Sequence, residues 1–111
     1  MRDIGSIMRT SPVIPVLVIE DAAHALPTTS AGQLIGTLAS DAAVFSFYAN
    51  KTITTGEGGM VLTGSEEVAR QMALYRSHGV QGRRYWHELP GHNFRLTNLQ
   101  AALGCAQLER L

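Results

Sequence analysis

The sequence predicts an α/β protein, and three observations carry that expectation. VLVIE (16–20) is a continuous β-branched run of the kind that forms a strand buried on both faces. AAVFSF (42–47) and GGMVLTG (58–64) are two more buried-strand candidates. Between and after them stand segments with helical periodicity, and strands mixed with helices argue for an α/β arrangement.

Taken in order, residues 3–10 read as the end of a helix, with Ile4, Ile7 and Met8 on one face, broken by Pro12 and Pro15. The first strand ends in Glu20-Asp21. DAAHAL (21–26) opens as a short helix, and Pro27 to Gly32 read as loop. The second strand follows Ser40-Asp41. After the third strand, Thr63-Gly-Ser-Glu66 fits a capping box, and Val68, Met72 and Tyr75 then follow with the spacing of one helix face. Arg76 and His78 suit the C-terminus of that helix and Gly79 the residue past it. Residues 80–92 are polar and aromatic and read as a long loop. Thr97 or Asn98 caps a last helix, with Leu99, Ala102, Leu103 and Ala106 on its packing face. Three buried-type strands need more cover than these short helices supply, which points to a piece of a larger sheet.

The bulk properties narrow the function. The 111 residues suffice for one small domain. The formal net charge of zero gives no ground for a nucleic-acid or acidic-membrane partner. The single cysteine, Cys105, allows no internal disulfide framework and fits a reducing, cytoplasmic compartment; on the last helix, among alanines, it reads as core. No secretory signal pattern is read at the N-terminus, and no run approaches the ~20 apolar residues of a membrane helix. His78, His87 and His92 lack metal-ligand spacing, so no metal is expected.

The chemistry concentrates around the only lysine, Lys51, in a chain with eight arginines. Lys51 lies just past the second strand, and Asp21 closes the first. The carboxyl ends of strands are where open α/β sheets bind ligands. Each residue alone has an ordinary reading: Asp21 as a helix N-cap, Lys51 as a solvated loop residue. Together they are the pair that pyridoxal 5′-phosphate (PLP) requires. A lysine amine bonds the aldehyde, and an acid keeps the pyridine nitrogen protonated so that the ring can accept electrons. Ser46, Thr52, Thr54 and Thr55 offer hydroxyls to a phosphate, and Gly56, Gly58 and Gly59 allow a tight return. No Gly-Lys-Ser/Thr follows, so the loop is not a P-loop.

IEDAAHA (19–25), GTLASDAAVFSFYANKTITTGEGGMVLT (36–63), RSHG (76–79) and GHNFRLTNLQAALGCAQLERL (91–111) resemble, in order and spacing, the DegT/DnrJ/StrS family of PLP-dependent sugar aminotransferases. NKTITTGEGGM, RRYW and the string around Asn93 are most similar to the perosamine-synthase group. The resemblance implies part of the mixed, mostly parallel sheet of the large domain of an aspartate-aminotransferase-like, PLP fold type I enzyme. It implies transfer of an amino group from glutamate to a nucleotide-linked 4-keto-6-deoxy sugar. It implies Lys51 as the Schiff-base lysine, Asp21 facing the pyridine nitrogen, His24 near the phenolic oxygen and Ser46 on the phosphate. Asn93 is implied to reach the phosphate of a neighbouring subunit, hence a homodimer with shared sites. His24 also reads as a half-buried helix histidine and Asn93 as a loop-capping residue. Lys51 argues against the related sugar dehydratases, which carry histidine there. Tyr85 and Trp86 either border a sugar pocket or pack, and Arg83 and Arg84 either meet a nucleotide diphosphate or form a solvated pair.

The sequence departs from the family in several places. The upstream glycine-threonine turn that cradles the phosphate, the ring-stacking aromatic and the C-terminal small domain are not found in it. RTSPVIPV (9–16) and LPTTSAG (26–32) are atypical. Two readings follow: a fragment of the sugar aminotransferase, covering 1–111 of its large domain, or an inactive, truncated or decayed product that at most pairs with a full-length relative.

Overall fold

A computed structural model describes residues 16–111. The expected helix over 3–10 lies outside the described residues. Three strands, β1 (Ile19–Asp21), β4 (Ala42–Ser46) and β5 (Gly59–Leu62), form a mixed sheet in the order β1-β4-β5. Strands β2 (Thr29–Ser30) and β3 (Gln33–Leu34) form a separate hairpin, and α1 (Glu66–Arg76) and α2 (Asn98–Leu108) follow the sheet.

β4 is central because it alternates inward and outward side chains. Ala43 and Phe45 are buried, and with Ala22 they form the core on one face, backed by Ala25, Leu26, Ile35 and Phe47. β1 and β4 are parallel, with Asp21 opposite Val44. β4 and β5 are antiparallel, with Ser46 opposite Gly59. Asp41 fastens the strands where they begin. Its carboxylate accepts from the Val18 amide at 2.7 Å, and its carbonyl accepts from the Thr63 hydroxyl at 2.6 Å.

Several expectations are corrected. DAAHAL forms turns rather than a helix: Asp21 Oδ1 accepts from the Ala23 amide at 3.2 Å, and Ala25 donates to the Ala22 carbonyl. Pro27 explains the early stop, because it disfavours helical geometry at Leu26. The 27–32 loop contains the start of a hairpin, whose tight turn places Ala31 and Gly32 at φ 51° and 81°. α1 is capped by Ser65, whose hydroxyl accepts from Val68, and not by Thr63. Thr63 is committed to Asp41 and the Ser65 amide, so it ends the sheet instead of opening the helix.

The buried-type strands are only half covered. Ile19 is 67% exposed, and Val44 and Val61 on the same face are exposed too. α2 is bonded to the loop between β4 and β5 through Gln100 and Gln107. α1 turns Leu74 inward, while Val68 and Tyr75 of its expected face remain exposed.

Candidate active site

The parallel register of β1 and β4 opens their carboxyl ends on one edge of the sheet. Residues that follow these two ends line a shallow cleft there: Ala22, His24, Ser46, Asn50, Lys51 and Ile53 among them. Its apolar lining comes from Ala22, Leu26 and Ile53, and its polarity from His24, Ser46, Asn50, Lys51 and Thr52.

Lys51 is half-buried in this cleft, and its Nζ lies 2.6 Å from His24 Nε2 and 3.4 Å from Nδ1. The Lys51 amine and the His24 imidazole are therefore direct hydrogen-bond partners. Ser46 ends β4. Its Oγ accepts from the Tyr48 amide at 3.2 Å, which leaves the hydroxyl proton free to donate into the cleft. Asp21 ends β1 immediately before the lining residues Ala22 and Ala23 and is exposed. The four expected residues of the β1 and β4 ends are therefore on one edge. Asn93 is not among the cleft-lining residues. It bridges to Ser77 beside the end of α1 and accepts from Arg95 Nε at 3.0 Å.

The loop carrying Lys51 is shaped by its own backbone. Phe47 donates to the Gly58 carbonyl at 2.8 Å and Thr55 to the Phe47 carbonyl at 2.9 Å, which pinches the loop shut at its base. Gly59 permits that pinch, since a Cβ there would meet the Phe45 carbonyl oxygen at 2.8 Å. Thr55 is buried, and its hydroxyl donates to the Glu57 carbonyl at 2.8 Å.

Two residues that hold this loop were not singled out from the sequence. Gln107 of α2 accepts from the Thr54 amide at 3.0 Å and donates to the Thr54 carbonyl at 2.6 Å. Gln100 donates to the Glu57 carbonyl at 3.0 Å, while its Oε1 accepts from the Thr97 amide and completes a capping box. Between them, Gly104 lets the Thr55 methyl approach: a Cβ there would lie 3.2 Å from it. The packing face of α2 is thus Gln100, Gly104 and Gln107. This corrects the expected apolar face, since Leu99 is 81% exposed and Leu103 is exposed as well. Cys105, expected in the core, is exposed. The signal was present as the i, i+4, i+7 spacing of small and amide residues, but apolar periodicity reads only oil-like contacts. The partner of this face is loop backbone, which needs amides.

Among the described residues, no group of three or more His, Cys, Asp or Glu side chains gathers to hold a metal. No helix among them is long and apolar enough to cross a membrane.

The family model described as the DegT/DnrJ/EryC1/StrS aminotransferase family matches residues 1–111. The chain belongs to this family. GDP-perosamine synthase of Caulobacter vibrioides is 48% identical over 114 residues, which cover 96% of this chain and 30% of that protein. The crystal structure of 3-amino-5-hydroxybenzoic acid synthase superposes with a TM-score of 0.83 at 37% identity, over 100% of this chain and 30% of that one. Spr1654 of Streptococcus pneumoniae, in its PLP-form, superposes with a TM-score of 0.76 at 33% identity, covering 85% of this chain and 26% of that one. The chain therefore spans less than a third of the length of these family members. Its mixed sheet and helices are those of the aminotransferase fold.

The donor set can be tested against the cofactor of that PLP-form relative. The cleft offers the amine of Lys51, the hydroxyls of Ser46 and Thr52, the amide of Asn50, the imidazole of His24 and, at its edge, the carboxylate of Asp21. An aldehyde takes the amine, a phosphate the hydroxyls and a pyridinium the carboxylate. The residues present fit the group.

Proposed function

We propose that residues 1–111 form part of the cofactor-binding large domain of a PLP-dependent aminotransferase. The enzyme moves an amino group from glutamate to a nucleotide-linked 4-keto-6-deoxy sugar, as a step toward a surface polysaccharide. The observation that carries this reading is the chain's one lysine, half-buried in a cleft at the carboxyl ends of two parallel strands. The likeness to a GDP-perosamine synthase supports the choice of substrate class.

In this reading Lys51 binds the cofactor through Nζ, and when released it carries a proton at the same atom. His24 holds Nζ in place and presents its ring to the cofactor's phenolic oxygen. Asp21 holds the proton of the pyridine nitrogen. Ser46 donates to the phosphate. PLP, when bound, supplies an electron sink for charge developing at the substrate carbon. Asn93 serves the phosphate of a second copy in a homodimer, a role that fits its position away from its own chain's cleft. The exposed free thiol of Cys105 supports a cytoplasmic setting.

The test uses the rarity of the lysine. The chain is incubated with PLP, reduced with borohydride and digested, and the peptides are weighed. A pyridoxyl adduct on the peptide holding Lys51 is expected. No adduct, or one on the N-terminal amine alone, refutes the reading.

A second reading, an inactive chain that only pairs with a full-length relative, is favoured by the apolar surface left uncovered at Ile19 and Leu99. Measuring amino transfer in parallel separates the two. The 111-residue chain alone is expected to show no transfer, and transfer at the rate of a full-length relative would overturn the second reading.

A further inference from the structure

The loop that carries Lys51 is held differently on its two sides. Before the lysine it leans on its own strand: the Tyr48 amide donates to Ser46 Oγ at 3.2 Å, and the Lys51 amide donates to the Tyr48 carbonyl at 3.0 Å. After the lysine, Ile53 is buried and lines the cleft. The next residue, Thr54, has its whole peptide edge taken up by one side chain of α2. Gln107 Oε1 accepts from the Thr54 amide at 3.0 Å, and Gln107 Nε2 donates to the Thr54 carbonyl at 2.6 Å. A neighbouring strand pairs with a residue through the same two groups, so Gln107 acts as a strand of one residue. The amide is itself fixed. Its Nε2 also donates to the Leu103 carbonyl at 2.9 Å, so both of its N–H groups and its oxygen are engaged. An amide committed in this way has one orientation, and it imposes that orientation on Thr54. Gln100 adds a second hold at the Glu57 carbonyl, at 3.0 Å.

Two reference points therefore define the cleft. Ser46 is fixed by the sheet, opposite Gly59. Lys51 stands further on, in a loop whose far side is fixed by α2. A ligand that meets an amine at one end and a hydroxyl at the other needs the two to keep one separation. We propose that Gln107 is a positioning residue of the site. It holds Lys51 Nζ in register with the Ser46 hydroxyl, so that one ligand with an aldehyde and a phosphate engages both. Gln107 bonds to neither group and acts through Thr54 and Ile53. Such positioning is costly to lose, because a misplacement of about 1 Å lowers a rate by on the order of a hundredfold. This inference rests on the proposed cofactor reading and deepens it by naming what sets the reach of the lysine.

The experiment compares two aldehydes, PLP and pyridoxal, which lacks the phosphate. Each is mixed with the chain, the adduct on Lys51 is trapped with borohydride at timed intervals, and its rate of formation is read by peptide mass. An N-acetyl-lysine amide gives the intrinsic ratio of the two rates. In the unaltered chain the ratio of PLP to pyridoxal should exceed the intrinsic one by roughly tenfold to a hundredfold, the worth of a hydrogen bond to a charged phosphate. In Gln107→Leu most of that excess should vanish, while pyridoxal keeps its rate and the far-UV circular dichroism is unchanged. Gln107→Glu, which keeps the bond to the Thr54 amide, should recover part of the excess. Leu99→Gln, on the exposed face of α2, should keep all of it. An undiminished excess in the leucine variant would overturn the proposal. So would an equal loss of rate for both aldehydes, which is what a purely structural role produces. If the leucine variant unfolds, Gln107→Glu and Gln100→Met decide by the same ratio, and an undiminished excess in both overturns the proposal. No adduct on Lys51 in the unaltered chain would sink the cofactor reading and the positioning role together. An adduct without any excess for PLP would leave the Lys51 chemistry standing and overturn the positioning role alone.

Discussion

Replacing Gln107 by leucine should loosen the Lys51 loop without unfolding the sheet. Gln107 makes two hydrogen bonds to the backbone of Thr54, at 3.0 and 2.6 Å, and Thr54 is only half-buried. Each bond contributes about 0.5–1.5 kcal/mol net, and water reaches part of what is left behind, so the loss is about 2 kcal/mol. A change of that size in local opening speeds exchange of the Thr54 amide roughly thirtyfold, at about 1.4 kcal/mol per factor of ten. Hydrogen exchange read by NMR measures it. The Ala22 amide, bonded to the Val44 carbonyl at 2.9 Å inside the core, is the internal control and should keep its rate. Gln107→Glu should fall between, because a carboxylate still accepts from the Thr54 amide but repels its carbonyl. Unchanged Thr54 exchange in the leucine variant would refute the tie between α2 and the loop. An equal loss of protection at Ala22 would show that Gln107 supports the whole fold and not the loop.

Other substitutions test separate links. Gly79→Ala should destabilise by about 2–5 kcal/mol in denaturant unfolding, since φ is 68° and the new methyl would fall on the Leu89 carbonyl oxygen. Thr97→Ala should cost about 1 kcal/mol by removing the cap of α2, measured the same way. Lys51→Ala should abolish the borohydride-trapped adduct while leaving the far-UV circular dichroism unchanged. The Arg70 guanidinium bonded to Glu67 holds that carboxyl below its ordinary value. A lowered pKa stabilises the fold above the unfolded value and loses that contribution as pH falls through the folded one. Glu67→Gln should therefore flatten the acid limb of a stability profile below about pH 4.5, and an unchanged limb would count against the pair.

The positions of the candidate site residues were more legible than the packing. Asp21, Ser46 and Lys51 could be placed because they punctuate apolar runs, and a run's end marks the edge where a sheet meets its ligand. His24 came from the resemblance; the helix imagined around it does not form, and a turn instead aims its ring at Lys51. What stayed hidden depends on partners distant in sequence. Thr63 satisfies every local rule for a cap, yet Asp41, 22 residues back, claims its hydroxyl. Leu99 and Leu103 satisfy every rule for an inward face, yet the loop of Thr54 and Glu57 calls for amide groups. Pattern rules weigh a residue by its neighbours along the chain, and these contests are decided across it.

The clasp between α2 and the loop has a bearing on how freely each side can change over generations. Gln100 and Gln107 read peptide groups at Glu57 and Thr54, not their side chains. A reader of peptide groups is indifferent to the letter printed there. Position 57, whose side chain makes no part of the clasp, is free to drift, while a substitution at 107 removes the grip itself. Part of the burden of preserving the lysine's setting thus falls on a helix distant in sequence, and within the loop it is position 57 that is left open to variation.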